Sequence, residues 1–430
     1  MNSDPISPVD DRYYPEASEL ARYFSERALT EERVVVELSY LRLLQRLGVA
    51  PKAKIPKVKV SARAVKAIEG RVGHDVKAVE LYLQDRLEAF GASGLSPFVH
   101  LGLTSEDTNS VAYGSLLGRS LRDVMLPAYS SLALALARIA GREASTPMLA
   151  RTHGRPALPT TFGKEMAVFA MRIAERAARL KSSRPSAKIS GAVGTYASFS
   201  LMARKDWLGA FRRMVENMGL AYEPYSTQVV PWEANSDILH YVINLNQLMA
   251  GLSRDLWVYQ ALGYLRFSRP GKVSSSTMPQ KVNPVDLENA EGQAEVSNAL
   301  LALVAYKPET TRLQRDLSDS VVKRMTGQAL AHSLIAAKRL MQSLKAMTVE
   351  SDAMARDLDD HPEVMAEAVQ VTMRLKGDRR GYQKVKRAIE AGDFQSLRHY
   401  ASGAGSYHGL APRLAKECPR RVRALLAART

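Results

Sequence analysis

Apolar residues along this chain recur at intervals of three and four. From Ile238 the series runs through Val242, Leu245, Met249, Leu252, Leu256 and Tyr259, in alternating steps of four and three. That spacing holds one stripe of a helix against a partner for about three heptads. Phe162, Met166, Phe169, Ile173, Ala177 and Leu180 form a second stripe, and a less regular one runs through residues 321–347. Strand-like alternation is scarce. Long amphipathic helices in water bury their stripes against one another, so the pattern predicts an all-α subunit built on a long helical bundle. Core packing, rather than a cofactor box, accounts for both stripes. The helices are too long for one subunit to cover on all sides, which predicts oligomerisation through the bundle.

Polar segments with proline or glycine fall between these helices, at residues 99–107, 150–161, 225–237 and 267–284. They divide the chain into an N-terminal helical domain (1–103), a central long-helix bundle (104–348) and a C-terminal helical domain (349–430). No low-complexity segment or internal repeat interrupts this organisation.

Composition narrows the class. The chain has 430 residues, 46% of them hydrophobic and 24% charged, which is globular and leaves room for a substantial core. A single cysteine, Cys418, rules out an internal disulfide framework and argues against a zinc–thiolate site, so a reducing, cytoplasmic location is expected. The opening "MNSDPISPVDDRYYPEASE" is acidic and proline-broken, without the pattern of a secretory signal. No apolar run approaches the ~18 residues of a membrane span. Lysine and arginine (60) exceed aspartate and glutamate (44), a net +16 that favours anionic partners. The basic runs at 52–71 and 419–430 lack interleaved aromatics and any zinc-finger or RNA-recognition signature, so they read as solvated faces, and nucleic acid is not the expected partner.

Five segments offer chemistry. "VHLGLTSEDTNS" places Thr104 and Ser105 ahead of acids and a helical run, which describes a helix N-cap and, equally, an anion site at a helix N-terminus. "ARTHGRPALPTTFGKE" sets His153 between Thr152 and Gly154 on a loop stiffened by Pro156 and Pro159. It is either an exposed surface histidine or an imidazole pinned for proton transfer. "GHDVKAVE" supplies His74 beside Asp75, at what is otherwise a surface helix start. "SSSTMPQKVNP" brings three serines together with Lys281 and Asn283. Serine is a poor base unless a neighbouring ammonium stabilises its alkoxide, and Lys281 and Asn283 suit a carboxylate that gathers charge. Glu288, just beyond, is placed to orient a histidine. "RLQRDLSDSVVKR" offers Arg315, Ser320 and Arg324, with the last two one helical turn apart.

Taken together, these segments resemble the fumarase/aspartase superfamily, whose signature loop "SSSTMPQKVNP" matches at many fixed positions. Within it the chain is most similar to the adenylosuccinate lyases: "SPVDDRYY", "GHDVKAVE", "LTSEDTN", "RTHGRPALPTTFGKEMA", "KISGAVGTY", "YSTQVVPWE", "STMPQKVNPVDLENAEG" and "LQRDLSDSVVKR" occur in that family's order. The resemblance spans roughly residues 7–345 and fades beyond. It implies a three-domain helical subunit, a homotetramer with active sites shared between subunits, and β-elimination of fumarate from a small anionic nucleotide, without metal or other cofactor. It makes His153 the general acid and Ser275 the base. His74 becomes a second active-site histidine beside Asp75, and Glu288 the acidic partner of the general acid. Arg12, Tyr13, Arg315, Ser320 and Arg324 fall on phosphate and ribose positions; Thr104, Ser105, Thr152, Gln228, Lys281 and Asn283 fall on positions that hold the succinyl portion and the base. Two positions depart from the pattern. Ser274 replaces a glycine, and Gln280 stands where these lyases often carry histidine, a glutamine there being seen also in argininosuccinate lyases. Another lyase of the superfamily, or a non-catalytic basic bundle that binds nucleic acid, are the alternatives.

Overall fold

The structure, a computed structural model, describes residues 5–202, 204–268, 277–278, 280–393 and 407–428. Among the described residues it is mostly helical, with three two-stranded strips. The expected stripes are buried: Ile238, Val242, Leu245, Met249, Leu252 and Leu256 are at most 1% exposed along the helix Glu233–Ala261, and only Tyr259 is half-buried. In the helix Phe162–Ser182 every stripe position is at most 2% exposed except half-buried Phe169. The 321–347 periodicity resolves into two helices, Ser318–Lys323 and Thr326–Ala346.

Two compact units make up the chain. The first comprises Met1–Pro127, Arg179–Asn246 and Glu295–Ile335; the second comprises Ala128–Ala178, Gln247–Ala294 and Ala336–Thr430.

In the first unit the helix Glu26–Arg46 begins where the Ser25 hydroxyl accepts the Ala28 N–H at 3.1 Å, a side-chain N-cap. Its apolar face (Val34, Leu41, Leu44) is buried, and so are its charges Glu32, Arg33 and Glu37. Buried charge is tolerable only when paired. Glu32 accepts from Ser115 at 2.6 Å and pairs with Arg119, and Glu37 accepts from Thr108 at 2.7 Å, so both are matched by the helix Ser105–Ser120. A second polar seam joins longer helices: the Asn246 amide donates to Ser297 at 2.8 Å and Asn298 at 3.0 Å, and Ser333 donates back to it.

Glu37 also lies 2.7 Å from Nδ1 of His100, which occupies a left-handed backbone conformation at φ 57°. Burial disfavours the imidazolium, but the Glu37 carboxylate outweighs it, so the His100 pKa is raised above 6.5. A raised folded-state value contributes stability that is complete below the unfolded value and lost as pH climbs through the folded one. The urea midpoint of the protein is therefore expected to decline as pH rises past neutrality, and His100→Gln is expected to flatten that decline. Parallel curves for the two proteins would remove the pair from the account.

The helix Ser105–Ser120 continues through a π-turn, Leu121–Met125, into Leu126–Arg142. The Leu126 N–H reaches back to Leu121, one residue further than in an α-helix, just before Pro127, which has no N–H. By length and composition this run, Ser105–Arg142, is apolar enough to cross a bilayer, contrary to the sequence expectation. Its most apolar window is 56% buried inside the protein, with Leu132, Leu136 and Ala140 fully so, as in a bundle core helix.

In the second unit the helix Phe162–Ser182 approaches Leu126–Arg142 so closely that a Cβ on Gly163 would meet the Ala140 carbonyl at 2.5 Å. Strands Leu265–Phe267 and Met347–Val349 pair antiparallel. The C-terminal part then folds as the helices Ser351–Asp359, Ala366–Leu375, Gly381–Glu390 and Ala411–Ala427. Cys418 is fully buried, and burial pushes its thiol up to about 11, so it is packed rather than reactive.

Candidate active site

The predicted residues divide between the two units. In the first, His74 is the N-cap of the helix Asp75–Ala89, its Nδ1 accepting the Lys77 N–H at 3.3 Å. Its Nε2 faces the Ser105 hydroxyl at 3.5 Å, so two separately predicted segments meet. Asp75 accepts from Arg33 at 2.7 Å and from Arg324 at 3.1 Å. Burial works against its charge, but the two guanidiniums and the Val76 N–H hold the carboxyl below its ordinary value. Arg324 also pairs with Glu26.

From Arg33 the network continues inward. Its Nε donates to Asn109 at 2.9 Å, and Asn109 donates to Glu106 at 2.9 Å. Glu106 is met by Arg315 at 3.3 Å and Lys323 at 3.6 Å. Arg315 donates to Ser320 at 3.0 Å, and both Arg315 and Lys323 pair with Asp319. Asp75, Arg315, Ser320 and Arg324 thus belong to one charged network with His74 and Ser105 at its edge. Its connectors Arg33, Asn109, Glu106, Asp319 and Lys323 were not singled out from sequence. Arg33 lies mid-helix far upstream with no motif around it, while Glu106, in sequence one of the acids after a helix N-cap, is 4% exposed.

Thr104 and Ser105 do sit at a helix N-cap: the Thr104 N–H donates to Asp107 at 2.8 Å, one arm of a capping box. Ser320 and Arg324, expected to share a helical face, take different partners: Ser320 binds Arg315, and Arg324 binds Asp75 and Glu26. The Arg12 guanidinium lies over the Tyr13 ring, 5.9 Å from its centre, and the segment around them lines a cleft with Phe24, Arg324 and Gln328. Gln228 is half-buried, its side chain donating to the Ala192 carbonyl at 2.9 Å. The adjoining glycine loop presses so near that a Cβ on Gly194, at φ 79°, would lie 1.8 Å from the Ser226 carbonyl.

In the second unit the segment expected to be a stiff loop is a hairpin. Strands Pro147–Thr152 and Arg155–Thr161 pair antiparallel, and Thr152 faces Arg155 across a two-residue turn of His153 and Gly154. Both turn residues have positive φ, 55° and 73°, the type I′ geometry that matches strand twist. His153 is exposed at this tip. The sequence signal was present in the His-Gly pair, but the prolines masked it.

Of the signature loop, Lys281 is exposed and closes a turn through its N–H to the Met278 carbonyl at 3.1 Å; Asn283 is half-buried. Ser274, Ser275 and Ser276 lie outside the described residues. Glu288, in the first turn of the helix Val285–Tyr306, accepts the Trp257 indole N–H at 3.2 Å. The described residues contain no cluster of histidine, cysteine and acids suited to a metal ion.

A fold of this kind is shared with two solved structures. One is a fumarate lyase from Mesorhizobium sp. BNC1 (TM-score 0.74, 19% identity, covering 96% of this chain and 98% of that one). The other is 3-carboxy-cis,cis-muconate lactonizing enzyme from Pseudomonas putida (0.77, 20%, 98% and 100%). At sequence level, residues 50–296 match the family described as lyase, and residues 311–399 match the adenylosuccinate lyase C-terminal family. Curated relatives include adenylosuccinate lyases of Legionella pneumophila (strain Philadelphia 1), 35% identical over 89% of this chain and 87% of the relative, and of Escherichia coli K12, with the same identity and coverage. The chain belongs to the adenylosuccinate lyase family of lyase enzymes. The C-terminal match, which runs to residue 399, corrects the expectation that the resemblance fades near residue 345.

Proposed function

We propose that this enzyme eliminates fumarate from adenylosuccinate, leaving AMP, and from the corresponding succinyl-carboxamide ribotide, leaving AICAR, in purine nucleotide synthesis. The observation that carries the reading is the match to adenylosuccinate lyases along nearly nine-tenths of the chain.

The chemistry asks for a base at the carbon beside a carboxylate and an acid at the departing nitrogen. Ser275 takes the carbon-bound proton, the electron pair forms the fumarate double bond, and His153 protonates the nitrogen as the carbon–nitrogen bond breaks. Removing that proton creates a dianionic aci-carboxylate, which a preorganised cation and hydrogen-bond donors stabilise. Lys281, Asn283, Thr104 and Ser105 serve there, with Thr152 and Gln228 on the succinyl portion and the base. Arg12, Tyr13, Arg315, Ser320 and Arg324 serve the phosphate and ribose. His74 and Asp75 contact the substrate, and Glu288 supports the histidine acid. No redox or metal step is needed to balance this reaction.

The enzyme works as a cytoplasmic homotetramer whose sites are completed by neighbouring chains. Support comes from apolar side chains left exposed on the long helices, among them Val168, Trp257, Val258 and Val296. Purified protein is expected to change the ultraviolet absorbance of adenylosuccinate as fumarate forms, and to leave argininosuccinate and malate unchanged. A folded tetramer inert toward adenylosuccinate would remove the assignment, and turnover of argininosuccinate instead would move it to the neighbouring lyase, as Gln280 would then explain.

A further inference from the structure

The hairpin that carries His153 is weakly held by its own backbone. Its register slips between Ala150, which faces Leu158, and Arg151, which faces Pro156. A bulge interrupts the ladder, and Pro156 and Pro159 have no N–H to give it. At the tip, a histidine at positive φ persists only where its surroundings enforce that conformation.

The enforcing contacts begin two residues upstream. Arg151 donates through Nη1 to the Tyr264 hydroxyl at 2.7 Å and through Nη2 to Asp357 Oδ2 at 2.7 Å, and the Tyr264 hydroxyl donates to the same carboxylate oxygen. The guanidinium also lies over the Tyr264 ring. Tyr264 follows the helix Glu233–Ala261, is 1% exposed, and has its carbonyl bound by the Glu350 N–H at 2.9 Å. Asp357 lies on Ser351–Asp359, whose Leu358 packs in one apolar cluster with the hairpin's own Leu149. The triangle keeps its charges: burial opposes the Asp357 carboxylate and the Arg151 cation, but their mutual hydrogen bonds win, and the Tyr264 phenol is pushed up to about 12 by burial and then by Asp357. With one fork arm on the phenol and the other making a charge-assisted bond to the carboxylate, the guanidinium is fixed in direction as well as distance.

We propose that Arg151, Tyr264 and Asp357 are positioning residues for the proton donor, holding the strand that ends in the His153 turn so that the imidazole meets the leaving nitrogen. The C-terminal region thereby gains a task in the reaction, through the hairpin rather than through substrate. The inference rests on the reading of His153 as the acid.

Asp357→Asn, Tyr264→Phe and Arg151→Lys in the full-length protein test it, with hydrogen exchange of the peptide spanning residues 152–155 read alongside steady-state kinetics. Asp357→Asn is expected to speed exchange at the turn about tenfold or more by making local opening easier. It is also expected to lower kcat for adenylosuccinate by about 10–100-fold through misplacement of the acid, with KM changed far less. Tyr264→Phe, which removes only a hydroxyl, is expected to show the same signature in smaller measure if the aspartate variant does not fold. Unchanged exchange at 152–155, or faster exchange with wild-type kcat, would overturn the proposal. Should the wild-type protein not turn over adenylosuccinate at all, the functional reading falls by itself, and the exchange experiment still decides whether the triangle holds the turn.

Discussion

Replacing His153 with alanine is expected to lower kcat for adenylosuccinate by about 10²–10⁴-fold, the range that a positioned general acid contributes. KM is expected to move little, since the imidazole acts on a bond being broken rather than on substrate recognition. The residue sits exposed on a two-residue turn, so its loss leaves the hairpin's buried root at Met148 and Leu149 intact, and assembly is expected to survive. Ser275→Ala is expected to be similarly inactive. When sites are completed by different chains, mixing the two inactive proteins under conditions that exchange subunits assembles some sites with both wild-type residues. Partial recovery of activity is therefore expected, and mixtures as inactive as their components would count against shared sites.

The second large effect concerns folding. Lys188 and Asp107 form an ion pair at 2.7 Å with both side chains completely buried. Asp107 further accepts the backbone N–H groups of Thr104 at 2.8 Å, Ser190 at 2.9 Å and Gly191 at 3.2 Å, while the Lys188 ammonium donates to the Gly191 carbonyl at 3.1 Å. The aspartate thus ties the Thr104–Ser105 turn to the glycine loop of "KISGAVGTY". Removing one member leaves an uncompensated charge in the core, which costs about 3–5 kcal/mol. Lys188→Met is expected to fall in that range by urea denaturation. Asp107→Ala is expected to cost more, because three backbone donors lose their acceptor as well. Lys188→Met unfolding at the wild-type urea concentration would show the pair to be dispensable. The ordering of the two variants separately tests whether the backbone bonds matter.

Much of the architecture was legible because it follows from local rules. Heptad spacing in 238–259 and 162–180 dictated long helices and named their buried faces, since a helix in water has one way to hide such a stripe. Motif residues were legible for a related reason: each lies in a short run whose fixed neighbours constrain it, as His153 is constrained by Gly154 and Ser320 by the arginines flanking it.

What escaped depends on partners far apart in sequence. Arg33 and Asp75, 42 positions apart, and Arg151 and Asp357, 206 apart, carry no local mark that they will pair. Nor does the hairpin announce itself in a stretch with prolines, where strand propensity is low and only the tertiary contact of Leu149 with Leu358, Val364 and Met365 makes extended backbone worthwhile. Glu106 and Asp107 look in sequence like ordinary acids of a first helical turn; folding places cations and backbone donors around them and turns them into core residues. The sequence by itself therefore determined which segments are helical and which residue types the chemistry has to hand. The tertiary structure alone decided which charges are buried together, because the free energy of a buried charge is set by what surrounds it in space and not by what precedes it in the chain.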